Sequence, residues 1–583
     1  MSRFSHFVAL AMAILSMTAC GAPPAPPAPP AAAVPAAQPQ EQLKVLLERY
    51  WDAHVAYDDA ISPQILADSF DVEKRYLAEL LAIPREALDT EGRLNYDIFR
   101  RQRETAIEGY TYPSELLPVN PFAGMPLTFA IAAAQIAEPP LSTVQYDRWL
   151  RAVDDYVRWT RQAIANMQDG VLRGYTSPRA LVERMLPILD GLAADIPSNV
   201  FYTPLRSMPQ NIAAADRERL SDSLRDAVSQ KLLPATRALH DYLKHDYLPK
   251  ARRGLSIADL PLGSSWYEYR VRRAAGAAAV PTDVHRIGLA EVERLRPKLQ
   301  ALREAGAPAA APTGSTAMSA AAAAAAAAVA APAFSELLAG YKDLGDKVAA
   351  NLPALFVPET LMPYEIRTVD FVPMPDTPLY YRAAGAGANQ TAVLFVNSAQ
   401  ITDKPAVAVF LQQAVPGHHL QSAIQQQRVD LPRFRRFGAD PAFVAGWGLY
   451  AATLGEELGM YPNDADKYRA LNLQLRCAVS MVIDTGLHSQ GWTRAQALEY
   501  LHAQMSVADS DAESLIDEYA AMPGDALSCG IGASKLQALR SRAQQSLGLR
   551  FDIREFHAQI LKDGAMPLDI LEAKLSAWIE ASR

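Results

Sequence analysis

The feature that most constrains this chain is a Pro-Gly break inside an apolar segment, followed at once by two adjacent histidines, within residues 412–419. Adjacent histidines after such a break are unusual in an ordinary core helix and suggest a metal site. A metal-dependent hydrolase would need histidine and a glutamate general base at the first two positions, where this chain has Gln412 and Gln413. Carboxamides neither bind zinc well nor take a proton from water at neutral pH. Whether the chain is an enzyme therefore depends on this octapeptide.

The composition predicts a large folded protein rather than a binder of nucleic acid. The chain has 583 residues, of which 50% are hydrophobic and 21% charged, enough for one large domain or two medium ones. Its net charge of −8 gives no electrostatic surface for nucleic acid. Outside the N-terminus no run of 18 apolar residues predicts a membrane-spanning helix.

The N-terminus has the pattern of an export signal. A basic start, an apolar run over residues 7–17 and the small residues that follow predict a signal peptide over residues 1–19. The sequence Met-Thr-Ala-Cys resembles a bacterial lipobox, in which the cysteine, here Cys20, becomes the lipidated first residue of the mature protein. An ordinary secretory signal cut nearby is the alternative, and both interpretations predict export.

The lipobox also predicts where the protein resides. We expect it in the cell envelope, held by its lipid to the periplasmic side of a Gram-negative membrane. No aspartate follows Cys20, since the next residues are Gly21 and Ala22. By analogy with Gram-negative sorting, this favours the outer membrane.

The rest of the chain divides by composition. Residues 20–40 are mostly Ala and Pro and predict an extended tether. A single domain is expected over residues 41–583, in three parts. These are a helical part at 41–303, a low-complexity Ala-rich insertion at 304–333, and a part at 334–583 with a small sheet followed by helices. The candidate strands are 364–372, 378–383 and 391–397.

Cysteine usage gives no disulfide framework. Apart from Cys20 the chain has only Cys477 and Cys529. They could pair in an oxidising compartment, but the sequence does not place them within bonding distance. The expectation is two separate buried thiols.

Several short motifs occur in an order that resembles the bacterial "domain of unknown function 885" proteins. They are Pro-Gly-His-His-Leu-Gln (416–421), Gly-Trp-Gly-Leu-Tyr (446–450), Asp-Thr-Gly-Leu-His (484–488) and Gly-Trp-Thr (491–493), with His-Arg-Ile-Gly-Leu-Ala-Glu-Val (285–292) earlier. The similarity extends over roughly residues 42–580. It implies a mainly α fold, two-lobed around a deep cleft with a small β-sheet, similar to helical zinc metallopeptidases. Many family members are lipoproteins, in agreement with Cys20.

The resemblance also implies a metal site, from which this chain departs. The family pattern is His-Glu-Ala-x-Pro-Gly-His-His followed by Glu-Gly-Trp. On a regular helix positions 412 and 419 would share a face, and a glutamate from the next helix would complete a three-ligand zinc site. Here the three polar positions hold Gln412, Gln413 and Ala445. Other expected polar residues are also replaced, by Cys477 and Ser480, by Glu518, and by Cys529 and Gly530.

The remaining groups with possible chemistry are His418, His419 and, less strongly, His488. We expect Trp447, Tyr450 and Tyr519 to line the cleft, although aromatic residues at helical spacing are more often part of a core. The acidic residues between 509 and 518 are expected to form a solvated face, and the basic stretch 433–436 a surface loop.

The leading functional hypothesis is an exported lipoprotein on a metallopeptidase-like scaffold without the usual hydrolytic activity, which binds a peptide or envelope component. It requires no cofactor. One alternative is an active hydrolase that holds zinc through His418, His419 and a nearby carboxylate such as Glu457 or Asp484. A second alternative is a structural protein of envelope assembly. The sequence leaves the oligomeric state open.

Overall fold

The structure is a computed structural model that describes residues 38–54, 61–135, 142–307, 320–359, 362–369, 378–386, 391–397 and 405–583. The predicted export signal, Cys20 and nearly all of the tether lie outside the described residues. So does the first part of the Ala-rich segment, up to residue 319.

The first part of the chain is helical. Its helices are α1 (Pro39–His54), α2 (Pro63–Leu81), α3 (Thr90–Gly109), α4 (Met125–Gln135), α5 (Thr143–Arg173), α6 (Arg179–Ala193), α7 (Thr203–Arg206), α8 (Ala214–Asp226), α9 (Leu233–Asp241), α10 (Gly263–Ala275), α11 (Pro281–Glu304) and α12 (Ala320–Asn351). Two π-helical segments, Ala227–Leu232 and Tyr242–Tyr247, flank α9. This arrangement agrees with the helical pattern predicted for residues 41–303.

The second part contains a small sheet and the remaining helices. The strands are β1 (Tyr364–Val369), β2 (Leu379–Arg382) and β3 (Ala392–Asn397). The helices are α13 (Val407–Gln413), α14 (His418–Gln427), α15 (Arg433–Arg436), α16 (Pro441–Thr453), α17 (Asp464–Ser489), α18 (Arg494–Gln504), α19 (Asp509–Ala521), α20 (Leu527–Leu547), α21 (Ile553–Leu561) and α22 (Leu568–Ala581). The predicted mainly α fold with a small sheet is confirmed.

Local sequence signals explain where α5, a helix of 31 residues, begins and ends. At the start of α5, Ser142 and Gln145 form a capping box, which satisfies backbone N–H groups that have no partner within the helix. At its end Gly174 adopts a left-handed conformation with φ of 80°, which glycine adopts without steric cost.

The sheet has the order β1-β3-β2, with β3 parallel to β1 and antiparallel to β2. All six residues of β3 are buried, which explains its continuous apolar sequence Ala-Val-Leu-Phe-Val-Asn. Helix α12 packs on this sheet through Tyr341 and Val348. The helix begins at Ala320, so the end of the Ala-rich segment is continuous with a helix that packs on the sheet.

The main core joins α1–α3, α10 and α11 to the C-terminal helices, while smaller cores lie among α4–α9 and around the sheet. Its closest helix crossing is between α16 and α20. A Cβ atom on Gly446 would overlap the backbone of Gly532, and a Cβ atom on Gly532 would overlap Gly446 in return. The two helices therefore meet backbone to backbone, and only glycine fits at the crossing.

Two sequence predictions are wrong in this region. Cys477 and Cys529 are not separate thiols, because they form a disulfide between α17 and α20 with a Cα–Cα distance of 6.0 Å. The basic stretch is not a surface loop, because it forms the short helix α15. Arg435 is 2% exposed and donates to Asn95 Oδ1 and to the Asp563 carbonyl. The residues that form the disulfide and the contacts of Arg435 are far apart in sequence, so local sequence patterns could not reveal these contacts.

No helix among the described residues is both long and apolar enough to cross a bilayer.

The glycine crossing gives a testable prediction about stability. Gly446→Ala or Gly532→Ala should lower the free energy of unfolding by about 1–3 kcal/mol, because the added methyl forces α16 and α20 apart. Urea denaturation measures the change. The control is Gly191→Ala in α6, where an added Cβ would meet no atom within 4 Å. Replacing this helical glycine should stabilise the protein by about 0.5–1 kcal/mol. Equal effects at Gly191 and Gly446 would contradict the prediction.

Candidate functional site

The octapeptide does not lie on one regular helix. Helix α13 ends at Gln413 and α14 begins at His418, with a cis peptide bond between Val415 and Pro416 in the intervening turn. A Cβ on residue 417 would overlap the carbonyl of Gln412, so the turn requires Gly417. The expectation that positions 412 and 419 share a helical face is therefore wrong, because the chain changes direction between them.

His418 is the histidine that lies beside position 412. Its Nε2 atom and the Cγ of Gln412 both approach Gly448 of α16 so closely that a Cβ there would overlap the imidazole. Nε2 is buried and has no hydrogen-bond partner among the described residues. Burial lowers the pKa of His418 to about 4, against the opposing effect of a hydrogen bond to the backbone of Val444. The ring is therefore neutral at physiological pH.

His419 points away from this position and links α14 to the sheet region. Its Nε2 donates to the Met362 carbonyl at 2.8 Å, and its Nδ1 accepts from the Tyr381 hydroxyl at 3.1 Å. The ring also packs on Tyr364, with ring centroids 4.4 Å apart. Because both ring nitrogens are engaged, His419 has no lone pair available for a metal.

His488, the third candidate ligand, is engaged in the same way. Its Nδ1 accepts from the backbone N–H of Ile257 at 3.1 Å, and its Nε2 donates to the Tyr519 carbonyl at 3.0 Å. Burial lowers the pKa of His488 to about 4. The residue thus fixes α17 to the segment before α10 and to α19.

The two carboxylates proposed as further ligands, Asp484 and Glu457, also have hydrogen-bond partners of their own. Asp484 is fully buried, accepts from the Tyr267 hydroxyl at 2.6 Å and receives the Gly524 N–H on both oxygens. Burial raises the pKa of Asp484 to about 7, although these hydrogen bonds oppose the shift. Glu457 forms two bonds to Arg540, at 2.8 and 2.7 Å.

The residues at the expected metal position do not fit a zinc ion. The resemblance implies ligands at 412, 419 and 445, but the histidine beside position 412 is His418 and not His419. Of the carboxamide of Gln412, the methyl of Ala445 and the imidazole of His418, only the imidazole is a good ligand. The amide of Gln413, where the general base would stand, accepts the backbone N–H of Tyr381 at 3.3 Å. Within the described part of the chain, no group of three or more His, Cys, Asp or Glu side chains is placed to hold a metal.

The aromatic residues predicted to line a cleft belong to the core instead. Trp447 donates its indole N–H to the Pro416 carbonyl at 2.9 Å, and Tyr450 donates to Nε2 of His557 at 2.8 Å. With Tyr519, they are between 0% and 6% exposed. Their helical spacing reflects packing, which was the alternative interpretation.

Sequence reasoning gave no role to His557 and Tyr267. His557 donates its Nδ1 proton to the Leu355 carbonyl at 2.8 Å and so joins α21 to the end of the α12 region. The Phe-His pair at 556–557 does not reveal this contact, because its partner lies 202 positions away in the sequence. Nothing in the sequence near Tyr267 indicates its hydrogen bond to Asp484, which spans 217 positions.

The acidic residues of α19 are not simply a solvated face. Asp517 is 5% exposed and forms ion pairs with Arg184 and Arg494. Asp511 is also buried. This part of α19 therefore packs against α6 and α18, and the prediction of a solvated surface is wrong for these two residues.

Because both ring nitrogens of His488 are hydrogen-bonded and the ring is neutral, replacing this residue should change the stability of the protein by an amount that depends on pH. At pH 7 His488→Gln should lower the free energy of unfolding by about 1–3 kcal/mol, because two buried hydrogen bonds are disturbed. The folded-state pKa of His488 lies below the value of about 6.5 expected in the unfolded chain. Between pH 7 and pH 5 this histidine becomes protonated in the unfolded chain but stays neutral in the folded protein. The free energy of unfolding of the wild type therefore falls by about 2 kcal/mol, and that of the variant does not fall for this reason.

The difference in free energy of unfolding between the wild type and His488→Gln should consequently be smaller by about 2 kcal/mol at pH 5 than at pH 7. Urea denaturation at both pH values measures it. His502→Gln, at an exposed position of α18, controls for loss of a histidine in general. A gap that stays constant with pH would show that the imidazole is not held neutral.

Comparisons with known proteins agree with this fold. The profile of a family described as "Bacterial protein of unknown function (DUF885)" matches residues 50–575. Among solved structures, "the putative lipoprotein from Colwellia psychrerythraea" is similar with a TM-score of 0.75 at 23% identity, covering 93% of this chain and 100% of that one.

A second structure, "a putative lipoprotein of unknown function from Shewanella oneidensis", is similar with a TM-score of 0.60 at 15% identity, covering 92% of this chain and 99% of that one. At these identities the two structures show a shared fold. No curated protein matches the chain. Since the family profile matches most of the chain, this protein belongs to the bacterial family of unknown function DUF885.

Proposed function

We propose that this protein is an exported, lipid-anchored envelope protein that keeps a metallopeptidase-like scaffold, has no metal-dependent hydrolytic activity, and binds a peptide or another envelope component. The observation that carries the loss of hydrolysis is the donor set around His418. The neutral imidazole of His418 and the side chain of Gln412, a carboxamide residue, both approach Gly448, and position 445 offers only a methyl. Such a set neither holds zinc nor activates water.

The alternative of an active hydrolase built on His418, His419 and a nearby carboxylate is less compatible with the geometry. Both nitrogens of His419 are hydrogen-bonded, and Asp484 and Glu457 have partners of their own. Recruiting any of them as a ligand would leave buried polar groups without partners, at a cost of about 1–3 kcal/mol each.

Export is supported by three observations. The lipobox-like Met-Thr-Ala-Cys20 precedes an Ala/Pro-rich tether. Both similar solved structures are described as putative lipoproteins. The disulfide between Cys477 and Cys529 is of a kind that persists in oxidising compartments such as the bacterial periplasm. We therefore place the folded domain outside the cytoplasm, tethered through Cys20 to the membrane.

The first test restores the missing groups. The purified wild type should contain no stoichiometric zinc and show no peptidase activity that a chelator abolishes. The triple variant Gln412→His/Gln413→Glu/Ala445→Glu should bind about one zinc ion per chain, because it supplies two ligands beside His418 and a general base. Metal analysis by mass spectrometry and peptide hydrolysis measure both properties.

A matched control is the same triple variant with His418→Ala, which should lose the zinc again. Stoichiometric zinc and chelator-sensitive hydrolysis in the wild type would overturn the proposed loss of activity. A triple variant that folds but binds no zinc would show that this scaffold does not place residues 412, 418 and 445 around one point.

The second test concerns the anchor. In a Gram-negative host the wild type should incorporate labelled fatty acid and partition into the detergent phase of Triton X-114. Cys20→Ala should remain in the aqueous phase, because the thiol that carries the lipid is gone. A Ser16→Ala variant, altered inside the predicted signal but not at the lipidated residue, should behave like the wild type. Equal partitioning of wild type and Cys20→Ala would contradict lipid anchoring.

A further inference from the structure

A cavity of about 650 Å³ lies between α1, α3 and α10, near the starts of α16 and α22. None of its lining residues belongs to the octapeptide. Its volume is within the range of small-molecule sites, roughly 300–1,000 Å³. Its walls combine aromatic side chains, arginines and carboxylates, which is the composition expected where a ligand is both packed and oriented.

Most charged groups of the wall are already paired. Arg101 of α3 donates to Asp569 of α22 at 2.7 Å, and Arg272 of α10 donates to Glu108 of α3. These two bridges tie the helices around the cavity together. Because the guanidinium groups of Arg101 and Arg272 each have a carboxylate partner, neither is the main group that would bind an incoming anion.

Other carboxylates of the wall are occupied as well. Glu104 accepts from Arg100 at 2.7 Å. Asp440 caps the N-terminus of α16 by accepting the Phe443 N–H at 3.0 Å. Helix capping of this type satisfies a backbone N–H that has no partner within the helix.

Arg273 is the exception among these charged groups. It lies on α10 beside Arg272, is exposed, and lines the cavity. It makes no hydrogen bond and no ion pair with any residue that the structure describes. Its charge is close enough to Asp440 to lower the pKa of that carboxyl, against the larger effect of burial, which raises this pKa to about 6. The cavity thus presents one guanidinium whose five N–H donors are uncommitted.

An apolar surface lies in the same cavity. The rings of Tyr50, Trp51, Tyr269 and Phe434 contribute to its wall. Trp51 is half-buried, so part of its indole remains available for contact, and its ring packs at 6.0 Å from Phe437. Aromatic walls beside a single free guanidinium suit a ligand with one anionic end and an apolar body.

We propose that this cavity binds an organic carboxylate with an aromatic or aliphatic body, whose carboxylate is held by Arg273 and whose body packs against Trp51 and Tyr269. A free organic acid and the C-terminus of a polypeptide share this chemistry. The site is separate from the octapeptide, and it requires neither the lipid anchor nor the loss of hydrolysis. A result that contradicts the ligand site would therefore not contradict the proposed function, and a result that contradicts the proposed function would not contradict the ligand site.

Isothermal titration calorimetry of the full mature protein in detergent tests the proposal. The probes are N-acetylphenylalanine and the tetrapeptide acetyl-Ala-Ala-Ala-Phe, each as the free acid and as the C-terminal amide. The wild type should bind at least one acid. It should bind the corresponding amide at least about 10-fold more weakly, because the neutral amide loses the charge-assisted hydrogen bonds to Arg273. Arg273→Gln should weaken the acids by a similar factor and leave the amides unchanged.

The matched control is Arg286→Gln, an exposed arginine of α11 that does not line the cavity and should leave all affinities unchanged. Thermal melting should show that Arg273→Gln folds like the wild type, since Arg273 makes no hydrogen bond or ion pair with the residues that the structure describes. Tighter binding of the tetrapeptide acid would identify a polypeptide C-terminus as the ligand. Equal binding of the two acids would identify a small organic acid.

Three outcomes would overturn the proposal. The first is that neither acid binds the wild type. The second is that acids and amides bind equally, or that Arg273→Gln binds the acids as the wild type does. The third is that inorganic phosphate displaces the acids at equal concentration, which would show that Arg273 attracts any anion and that the aromatic wall contributes nothing.

Discussion

The close packing around residues 446–448 of α16 is the interaction on which the C-terminal half depends. Gly446 allows α16 to meet α20 backbone to backbone, Trp447 donates to the carbonyl of Pro416, and Gly448 leaves room for the imidazole of His418. Three consecutive residues thereby fix a helix crossing, the turn of the octapeptide and the orientation of one histidine. Because protein interiors are close-packed, a change at any of them would displace all three.

The buried histidines have a structural explanation that needs no metal. His419, His488 and His557 each donate one proton to a distant carbonyl and accept on the other nitrogen. A neutral imidazole can satisfy a donor and an acceptor on opposite sides of one ring, which few side chains of that size can do. These residues therefore join elements between which the described part of the chain forms no backbone hydrogen bonds. His418 differs, since one of its nitrogens has no described partner.

Sequence patterns predicted the helices, the three strands and the family, because periodicity and motif order are local properties. They did not predict the pairing of Cys477 with Cys529, the burial of Arg435, or the direction of His419. Each of these depends on which distant segment lies opposite, and the turn at residues 414–417 reorients everything after it. The Pro-Gly pair indicated that the helix is interrupted between α13 and α14. The geometry of that interruption follows only from the packing of α14 against the sheet region and α16.

The absence of the family's histidine at 412 and carboxylates at 413 and 445 has an electrostatic explanation. Residue 445 follows Val444, whose backbone hydrogen-bonds to the neutral His418. Without a cation, a carboxylate at 445 would be a partly buried and unpaired charge, which is costly in a protein interior. A methyl at 445 and carboxamides at 412 and 413 avoid that cost while they preserve the local packing, and Gln413 still accepts the N–H of Tyr381. The replacements are therefore coupled. If no metal is bound, as we propose, a carboxylate at 413 or 445 would destabilise the fold, whereas Gly446, Gly448 and Trp447 remain necessary for packing.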